Sequence, residues 1–384
     1  MRKILVISHD ASLTGAPILL LHTLRMMKDR YEFKIVLKKG GVLENEFKDI
    51  ASTVILKHKN YSERNSTFLM IRDRIRYLIM QLKVVPLFYR TEIILSNTIA
   101  NGRLLHRFRF FKKPVITYVH ELESVLDYFT QSNDTQFSFK LTSIFLFPSL
   151  AVKKNLVENH AIPDEKLNYF PYYFPAQNFT FSPQSKEQFR IDLIRKWKLP
   201  ETAKIVAGMG VVSLRKGTDK FIEISQKAFE KDDNVFFFWI GDFDSTPFSQ
   251  EIKSNYYNKM YNDRIIFTGK MKYAYSNLLA YDLFFLSSVE DPYPLVVLEA
   301  AYQQVPALCF RSSGGIAELL DDGNGYIIEN DSTDQAADSI ISLLNDRDDL
   351  VTRGKRVQEK VISLHSDQNY ISNIFDKVVG SILK

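Results

Sequence analysis

The stretch DLFFLSSVEDPYPLVVLEAAYQQVPALCF, residues 282–310, contains the pattern that decides the fold. The apolar run DLFFLS is typical of a buried strand, the segment from Pro294 predicts a helix, and PALCF predicts a second strand. A strand, a helix and a strand in this order form one repeating unit of a parallel sheet covered by helices.

The same alternation runs in both directions from this stretch. The strand-like runs are KILVIS, FKIVLK, TVILK, EIILS, VITYV and SIFLFP, and then KIVAGM, VFFFWIG, RIIFTG, DLFFLS, PALCF and GYIIE. Two such series predict an α/β protein with two doubly wound, Rossmann-like lobes. Proline and aromatic residues interrupt the pattern at residues 171–185. We therefore predict an N-terminal domain at 1–178, a C-terminal domain at 179–365, and a closing helix at 366–384 that packs back on the first lobe.

Length and composition agree with two ordinary globular domains. The chain has 384 residues, of which 45% are hydrophobic, which is too long for a single core. The only cysteine, Cys309, cannot form an internal disulfide, and the first residues read as a strand rather than as a signal peptide. No run of 18 uncharged apolar residues is present. We expect a cytoplasmic protein that does not span a membrane.

Positive charge is concentrated in the first third of the chain. Residues 1–120 hold 22 Lys and Arg against 9 Asp and Glu, whereas residues 121–384 hold 28 against 36. Metal-ligand spacing of Cys and His is absent, which argues against a nucleic-acid-binding module. Residues 62–113 carry 11 basic against 3 acidic residues, with apolar and basic positions at near-helical spacing. This segment is either a peripheral contact with anionic lipid, at the inner face of the plasma membrane, or a solvated helix with its apolar side packed inward.

A candidate anion site lies within the opening stretch. Pro294 has the fixed φ that suits a first helical turn, so the N–H groups of Leu295 and Val296 would point outward at the positive end of the helix. Asp291 precedes this turn and Glu299 follows eight residues later. Carboxylates there could accept hydrogen bonds from hydroxyls of a ligand. The alternative is a turn aspartate and a solvated helix glutamate.

Two further loops of the C-terminal lobe carry candidate residues. Arg215 and Lys216 lie between a predicted strand and a helix, where two cations could neutralise a departing diphosphate or simply form an exposed basic loop. Gly314 and Gly315 lie in FRSSGGIAELLDDGNGYIIEND, residues 310–331. They either let the backbone approach a ligand closely or form a permissive turn.

The N-terminal lobe has matching candidates at its strand ends. In SHDASLTGAPILLLHTL, residues 8–24, the small-residue loop of Thr14, Gly15 and Ala16 precedes a helix start. Asn97 and His120 each follow a strand-like run. Because ligands of open parallel sheets bind beyond the carboxyl ends of the strands, we expect these residues in a cleft between the lobes. A lone histidine after a strand could equally be structural.

These motifs, in this order, resemble the retaining glycosyltransferases of family 4, also described as glycosyl transferases group 1. The segment 290–325 carries the specific resemblance: it fits the pattern D-P-[FY]-P-L-V-x-L-E, with Asp291 in place of the first glutamate of the family's E-x7-E motif. The resemblance implies a GT-B fold, with two lobes facing a central cleft. It also implies transfer of a hexosyl or N-acetylhexosaminyl unit from a nucleotide-diphosphate donor to a glycan or lipid-linked acceptor, in the synthesis of a surface polysaccharide.

The resemblance also implies a role for each candidate residue of the C-terminal lobe. Asp291 would bind the donor sugar, Glu299 the nucleotide ribose, and Lys216 with Arg215 the phosphates. The base would be recognised near Gly269 and Met271, mostly by backbone groups, with UDP favoured over GDP.

Three residue sets of the N-terminal lobe receive roles in the same way. His120 would contact the transferred sugar, and Asn97 would lie on the acceptor side. Thr14, Gly15 and Ala16 would lie over the donor phosphates or the acceptor.

The same resemblance argues against a metal or another cofactor. Asp242 and Asp244 form a D-x-D sequence, which binds a divalent metal in other sugar transferases, but family 4 has a Gly-Asp turn there without metal. We find no third carboxylate for a double displacement, so a front-face displacement is expected, in which the departing phosphate takes the acceptor's proton. Two rivals remain: a nucleotide-sugar epimerase of similar shape, and a catalytically silent partner that binds nucleotide sugar.

Overall fold

The structure, a computed structural model, describes residues 1–57, 79–80, 82–175, 183–271 and 278–383. The chain forms two compact units, Met1–Phe174 with Asp367–Lys384, and Pro175–Ser366. The predicted boundary at residue 178 falls among residues 176–182, which lie outside the described ranges. The terminal segment belongs to the first unit from Asp367 onward.

The first unit is built on a seven-stranded parallel sheet with the order β3-β2-β1-β4-β5-β6-β7. The inner strand β1 is completely buried from Ile4 to Ile7, because both faces of the sheet are covered by helices. Strand β7 was missed by the sequence analysis, since it is a three-residue edge strand with partly exposed side chains. The strands are β1 Arg2–Ser8, β2 Tyr31–Leu37, β3 Thr53–Ile55, β4 Ile93–Ser96, β5 Val115–Tyr118, β6 Ile144–Phe147 and β7 Leu167–Tyr169.

The helices of the first unit fill the connections between these strands. The first of them begins at Gly15, has Pro17 in its opening turn, and buries Leu20, Leu21 and Leu24 against the sheet. Short 3-10 turns lie at Ile99–Asn101, Arg109–Phe111 and Asp164–Lys166. The helices are α1 Gly15–Met27, α2 Glu44–Ile50, α3 at residues 82–90, α4 Gly102–Arg107, α5 Glu123–Thr130, α6 Asp134–Leu141 and α7 Leu150–Glu158.

The second unit repeats this architecture with a six-stranded parallel sheet, ordered β10-β9-β8-β11-β12-β13. The prediction of two doubly wound, Rossmann-like lobes is therefore confirmed. The strand order reverses between β1 and β4 in the first unit and between β8 and β11 in the second, and ligands of such sheets bind at this reversal. The strands are β8 Lys204–Met209, β9 Val235–Ile240, β10 Ile265–Gly269, β11 Leu283–Leu286, β12 Ala307–Phe310 and β13 Tyr326–Ile328.

Aromatic packing forms much of the core of the second unit. Phe221 lies edge-on against Phe237 and Trp239, and all three are almost completely buried. Short 3-10 turns lie at Leu278–Ala280 and Arg311–Ser313. The helices are α8 Pro183–Trp197, α9 Thr218–Phe229, α10 Pro247–Tyr257, α11 Leu295–Tyr302, α12 Ile316–Leu320, α13 Thr333–Asn345 and α14 Arg347–His365.

The last helix, α15 at Gln368–Ile382, packs on the first unit. Asp376 of this helix accepts hydrogen bonds from Arg30 and from the Tyr31 hydroxyl, each at 2.5 Å. The ring of Phe375 lies edge-on to Tyr31 with a centroid distance of 5.6 Å. These contacts join the end of the chain to the start of β2.

Within the described ranges, no helix is long and apolar enough to cross a membrane. Residues 62–78 and 81 of the predicted basic segment 62–113 lie outside those ranges.

Candidate functional site

Three predicted site residues meet where the strand order of the second sheet reverses. The Lys216 amine contacts Oδ2 of Asp291, although the two residues follow different strands, β8 and β11. The Arg215 guanidinium lies 3.8 Å from the same oxygen and donates to the Glu290 carbonyl at 3.1 Å. Asp291 is only 5% exposed, and in the described part of the chain its Oδ1 atom has no partner. The cluster carries two cations and one anion, and so keeps one net positive charge.

The backbone of the β8 loop holds Lys216 in place. The Lys216 N–H donates to Ser213 Oγ at 3.3 Å, and its carbonyl accepts from Ser287 Oγ at 3.0 Å. Gly210 has a φ of +153°, and a Cβ atom there would lie 3.1 Å from the Lys216 Cγ. Gly217 has a φ of +63°, and a Cβ atom there would lie 1.9 Å from the Ser287 carbonyl oxygen. Only glycine fits this left-handed turn against the β11 loop.

A second close approach fixes Asp291. Its N–H donates to the Ser313 carbonyl at 2.8 Å. Gly314 has a φ of +111°, and a Cβ atom there would lie 2.1 Å from the Asp291 carbonyl oxygen. Gly315 has an ordinary helical φ of −66°. The close approach that the structure shows at Gly314 is to the Asp291 peptide, and an approach of these glycines to a ligand stays a prediction.

Unpaired backbone donors lie at the start of α11. Pro294 directly precedes the helix with φ −70° and ψ 122°, and its carbonyl accepts the Val297 N–H at 3.2 Å. Pro294 is thus the capping position and not the first helical residue. The N–H groups of Leu295 and Val296 have no acceptor in the described ranges. They can therefore bind an anion at the positive end of the helix dipole.

Glu299 is a half-buried acid on the same helix. Burial raises the pKa of its carboxyl to about 8, so that it is mostly protonated at neutral pH. No partner of this carboxyl is found in the parts of the chain that the structure describes. The site thus offers a carboxyl that ligand hydroxyls could satisfy.

One buried hydroxyl of this region was missed by the sequence analysis. Ser288 follows β11 and is almost completely buried, and its Oγ has no hydrogen-bond partner among the residues that the structure describes. Buried hydroxyls are normally paired, so this unpaired one is an unusual feature of the loop that carries Asp291. The available signal was the serine pair at the end of a predicted strand.

The predicted base-binding residues lie at the end of β10. Gly269 has a φ of +67°, and a Cβ atom built there meets nothing within 4 Å, so its surroundings are open. Met271 is partly buried and is the last residue before the undescribed range 272–277.

Asp244 of the D-x-D sequence forms hydrogen bonds with the residue that caps helix α10. Asp244 Oδ1 accepts from the Thr246 hydroxyl at 2.5 Å and from the Thr246 N–H at 2.9 Å, and these bonds lower the pKa of Asp244. The Thr246 side chain in turn caps α10. Asp242 bonds the N–H of Phe243 at 3.2 Å. In the described ranges, His, Cys, Asp and Glu residues form no cluster of three that could hold a metal ion.

In the first unit, the start of α1 lies beside the loop after β4. Thr14 is extended and exposed, and its hydroxyl lies 2.8 Å from Ser12 Oγ instead of capping the helix. The N–H groups of Gly15 and Ala16 have no acceptor in the described ranges. The Ala16 carbonyl accepts from Asn97 Nδ2 at 2.9 Å.

His120 is held between two side chains. Its Nε2 lies 3.2 Å from Asn97 Oδ1, and its Nδ1 lies 3.2 Å from the Tyr172 hydroxyl. Because Asn97 donates its amide to Ala16, its oxygen faces the ring, and the His120 proton therefore resides on Nε2. Burial, followed by the proximity of His9, lowers the pKa of His120 to about 3, so the ring is neutral. Asn97 itself is only 1% exposed, and its place on the acceptor side stays a prediction.

Glu121 is a second residue that the sequence analysis missed. It is buried, and its carboxylate accepts from the Thr98 hydroxyl and, at 2.8 Å, from the His120 N–H. Burial raises its pKa to about 7. Glu121 therefore helps to fix the backbone that presents His120. The signal was an acid directly after a buried strand.

Comparison with known proteins finds a family match over part of the chain, and a matching fold. Residues 189–360 match the family described as glycosyl transferases group 1. The chain is 34% identical over 123 residues to N-acetyl-alpha-D-glucosaminyl L-malate synthase of Bacillus anthracis, covering 32% of each protein. It is 30% identical over 154 residues to alpha-galactosylglucosyldiacylglycerol synthase of Streptococcus pneumoniae, covering 38% of each. The chain spans about a third of the length of the curated relatives it matches.

The fold comparison covers the whole chain. Anabaena Alr3699/HepE, solved in complex with UDP and glucose, matches with a TM-score of 0.81 over 99% of this chain and 100% of that one, at 18% identity. The chain thus has the GT-B fold, and its second unit is similar, over residues 189–360, to the group 1 glycosyl transferases.

Proposed function

We propose that this protein is a retaining glycosyltransferase of family 4, which moves a sugar from a nucleotide-diphosphate donor onto the hydroxyl of a glycan or lipid-linked acceptor. The observation that carries the proposal is the contact between Lys216 and Asp291, with Arg215 as a second cation. These residues lie at the strand reversal of a domain that matches the group 1 family. The names of the two curated relatives, both synthases of glycosylated molecules, support the same activity.

The second unit supplies each kind of contact that a nucleotide-diphosphate sugar needs. The free N–H groups of Leu295 and Val296, together with the two cations, would bind the diphosphate. Asp291 Oδ2 is occupied by Lys216, which leaves Oδ1 to accept a sugar hydroxyl. Glu299 would accept the ribose hydroxyls. The solved relative with bound UDP favours UDP as the nucleotide.

The proposed reaction is a front-face displacement. The bond between the anomeric carbon and the diphosphate oxygen breaks, and the acceptor oxygen bonds to the same face. The departing phosphate oxygen takes the acceptor's proton. Lys216 and Arg215 stabilise the negative charge that develops on the diphosphate, so the reaction needs neither a metal ion nor another cofactor.

The first unit would position the sugar and the acceptor. Its neutral His120, oriented by Asn97 and Tyr172, would contact the transferred sugar without adding charge. The unpaired N–H groups of Gly15 and Ala16, with Thr14 beside them, would bind the donor phosphates or the acceptor.

A peripheral membrane contact at the cytoplasmic face is part of the proposal for a lipid-linked acceptor. Leu82 and Tyr89 of α3 and Phe110 of the adjacent 3-10 turn are largely exposed. Basic residues flank them, including Lys83 and Arg90. Apolar side chains between cations suit an anionic lipid surface. Flotation with anionic vesicles at low salt, which high salt abolishes, is the expected result. Equal recovery with neutral vesicles would contradict it.

The central test is donor binding followed by transfer. Thermal shifts with UDP, GDP, ADP and their sugars would identify the donor, and NMR of the product would show whether the anomeric configuration is retained. Lys216→Ala should lower kcat by about 10²–10³-fold with less than about a tenfold change in donor Kd, because its charge acts mainly on the transition state.

The matched control is Lys227→Ala. Lys227 is another lysine of the same unit, and it forms an ion pair with Glu223 on α9. This substitution should leave kcat unchanged. Unchanged turnover of Lys216→Ala would refute the role of Lys216. Donor conversion without any acceptor would instead identify an epimerase, and donor binding without turnover a silent partner.

A further inference from the structure

A buried histidine lies at the end of α14, in the second unit. The buried positions of this helix recur every three or four residues, which is the spacing of one helical face. The first four are Leu350, Gly354, Val357 and Val361, and the fifth is His365, which is completely buried. A polar ring in an otherwise apolar face costs stability unless it forms hydrogen bonds.

His365 forms a hydrogen bond with Tyr293, in the loop that precedes α11. Its Nε2 lies 3.1 Å from the Tyr293 hydroxyl, and the centroids of the two rings are 5.5 Å apart. Tyr293 is only 7% exposed, so this hydrogen bond is shielded from water. A hydrogen bond in such surroundings is stronger than one at the surface, and losing it is costly.

Tyr293 lies in the middle of the candidate site's own segment. Asp291, which contacts Lys216, is two residues before it, and the start of α11 at Leu295 is two residues after it. Pro294 lies between Tyr293 and the helix, and the proline ring fixes its φ. A Tyr293 side chain that is held in place therefore leaves little freedom to the backbone on either side of it.

The other end of α11 is also held by α14. The hydroxyl of Tyr302, the last residue of α11, lies 2.5 Å from Oγ of Ser366, the residue after His365. The Tyr302 carbonyl accepts from Gln358 Nε2 at 2.6 Å. The two tyrosines thus make comparable contacts with the end of α14, but Tyr293 lies in the site segment and Tyr302 lies about 12 Å of helix away from it.

We propose that His365 is a positioning residue for the candidate site, and that its hydrogen bond to Tyr293 holds residues 291–296 in the arrangement that binds the donor diphosphate. The inference rests on the proposed function, from which it takes the ligand, and it gives His365 no contact with that ligand. An apolar residue at this position would complete the buried face of α14. It would not fix the direction of the Tyr293 side chain, whereas a hydrogen bond does.

The first test compares two substitutions that each remove one tyrosine hydroxyl from the full chain. Tyr293→Phe should raise the Kd of UDP about five- to tenfold, through loss of one buried hydrogen bond that positions the site. Tyr302→Phe is the matched control: it should lower the Tm by a similar amount and leave the Kd of UDP unchanged. Calorimetric titration and thermal unfolding measure the two quantities. Equal UDP affinities of the two variants would overturn the proposal.

Substitutions of His365 itself test the geometry of the hydrogen bond. The amide of a glutamine reaches the place of the imidazole Nε2, whereas the amide of an asparagine reaches only the place of Nδ1. His365→Gln should therefore bind UDP within about twofold of the unchanged protein, and His365→Asn should bind it as weakly as Tyr293→Phe does. The same affinity in the glutamine and asparagine variants would contradict a role of Nε2.

Amide hydrogen exchange tests the positioning without a ligand. The Asp291 N–H, which donates to the Ser313 carbonyl, reports on the segment. Its exchange should become at least about threefold faster in Tyr293→Phe and should not change in Tyr302→Phe. Unchanged exchange in Tyr293→Phe would refute the positioning role. If the unchanged protein bound no UDP, the proposed function would fail, and the exchange rates alone would decide the role of His365.

Discussion

Glu299→Gln tests whether the half-buried acid of α11 meets a nucleotide. The pKa of Glu299 is about 8, so roughly nine-tenths of the carboxyls are protonated at pH 7. Hydroxyls that donate hydrogen bonds favour the ionised form and lower this pKa. If binding returns the pKa toward its ordinary value near 4.5, each bound UDP releases up to about 0.9 proton at pH 7 and about 0.1 at pH 9.

Calorimetry in two buffers with different ionisation enthalpies measures this release directly. The apparent binding enthalpy of the unchanged protein should depend on the buffer at pH 7 and hardly at all at pH 9. Glu299→Gln should show only the small buffer dependence at pH 7 that the terminal phosphate of UDP itself contributes, and none at pH 9. Glu251→Gln, a change at an exposed glutamate of α10, should behave like the unchanged protein. Equal proton release in Glu299→Gln, or none in the unchanged protein, would refute the assignment of Glu299 to the nucleotide.

Glu299→Gln should also change how the stability of the protein depends on pH, in a direction that the raised pKa determines. Because the folded pKa lies above the unfolded one, the stability contributed by Glu299 is fully present below about pH 4.5 and is lost as the pH rises through 8. A shift of this size corresponds to at most about 5 kcal/mol, and solvent access and relaxation make the loss smaller. Urea unfolding at pH 5 and pH 9 should show that Glu299→Gln unfolds with a flatter pH dependence than the unchanged protein.

Three other substitutions follow from backbone geometry and burial. Gly314→Ala should lower the free energy of unfolding in urea by at least about 2 kcal/mol, because Ala is strained at φ +111° and its Cβ overlaps the Asp291 carbonyl. Gly380→Ala, on the open face of α15, should raise the free energy of unfolding by up to about 1 kcal/mol. Glu121→Gln should flatten the stability profile between pH 5 and 8, because a pKa raised to about 7 makes stability fall as the pH rises through that value, and an unchanged slope would contradict this. His120→Asn should make the protein less sensitive to acid below pH 6.5. A buried histidine with a pKa of about 3 costs the folded protein stability as the pH falls from 6.5 toward 3, and Asn does not. Circular dichroism during a pH titration measures the profiles of both the Glu121 and the His120 variants.

The fold was accessible from the sequence because each central strand is buried on both faces. Such strands appear as largely apolar runs, and twelve of the thirteen strands in the described ranges were predicted in this way. Strand β7, with the sequence LNY, escaped because an edge strand needs no apolar run. The interruption by proline and aromatic residues placed the predicted domain boundary at residue 178, which lies outside the described ranges.

The residue types of the site were predictable, but their pairings were not, because a pairing depends on how two loops approach each other. Lys216 and Asp291 are 75 residues apart, and their contact requires Gly217 and Gly314 to take left-handed turns against neighbouring backbone. The sequence indicated a close backbone approach at Gly314, and the structure shows one such approach, to the Asp291 peptide.

The Lys216–Asp291 pair also constrains how a donor can bind. Asp291 faces both cations through a single oxygen, so that without a donor it neutralises one of their two positive charges. The N-termini of α9 and α11 lie in the same region and also favour anions. A diphosphate that enters must share Lys216 with this carboxylate, and part of its binding energy is spent on that competition. The competition weakens as the diphosphate gains charge during bond cleavage, because the amine then interacts more strongly with the phosphate. An acid that restrains Lys216 in the ground state thus shifts its contribution from donor affinity toward turnover.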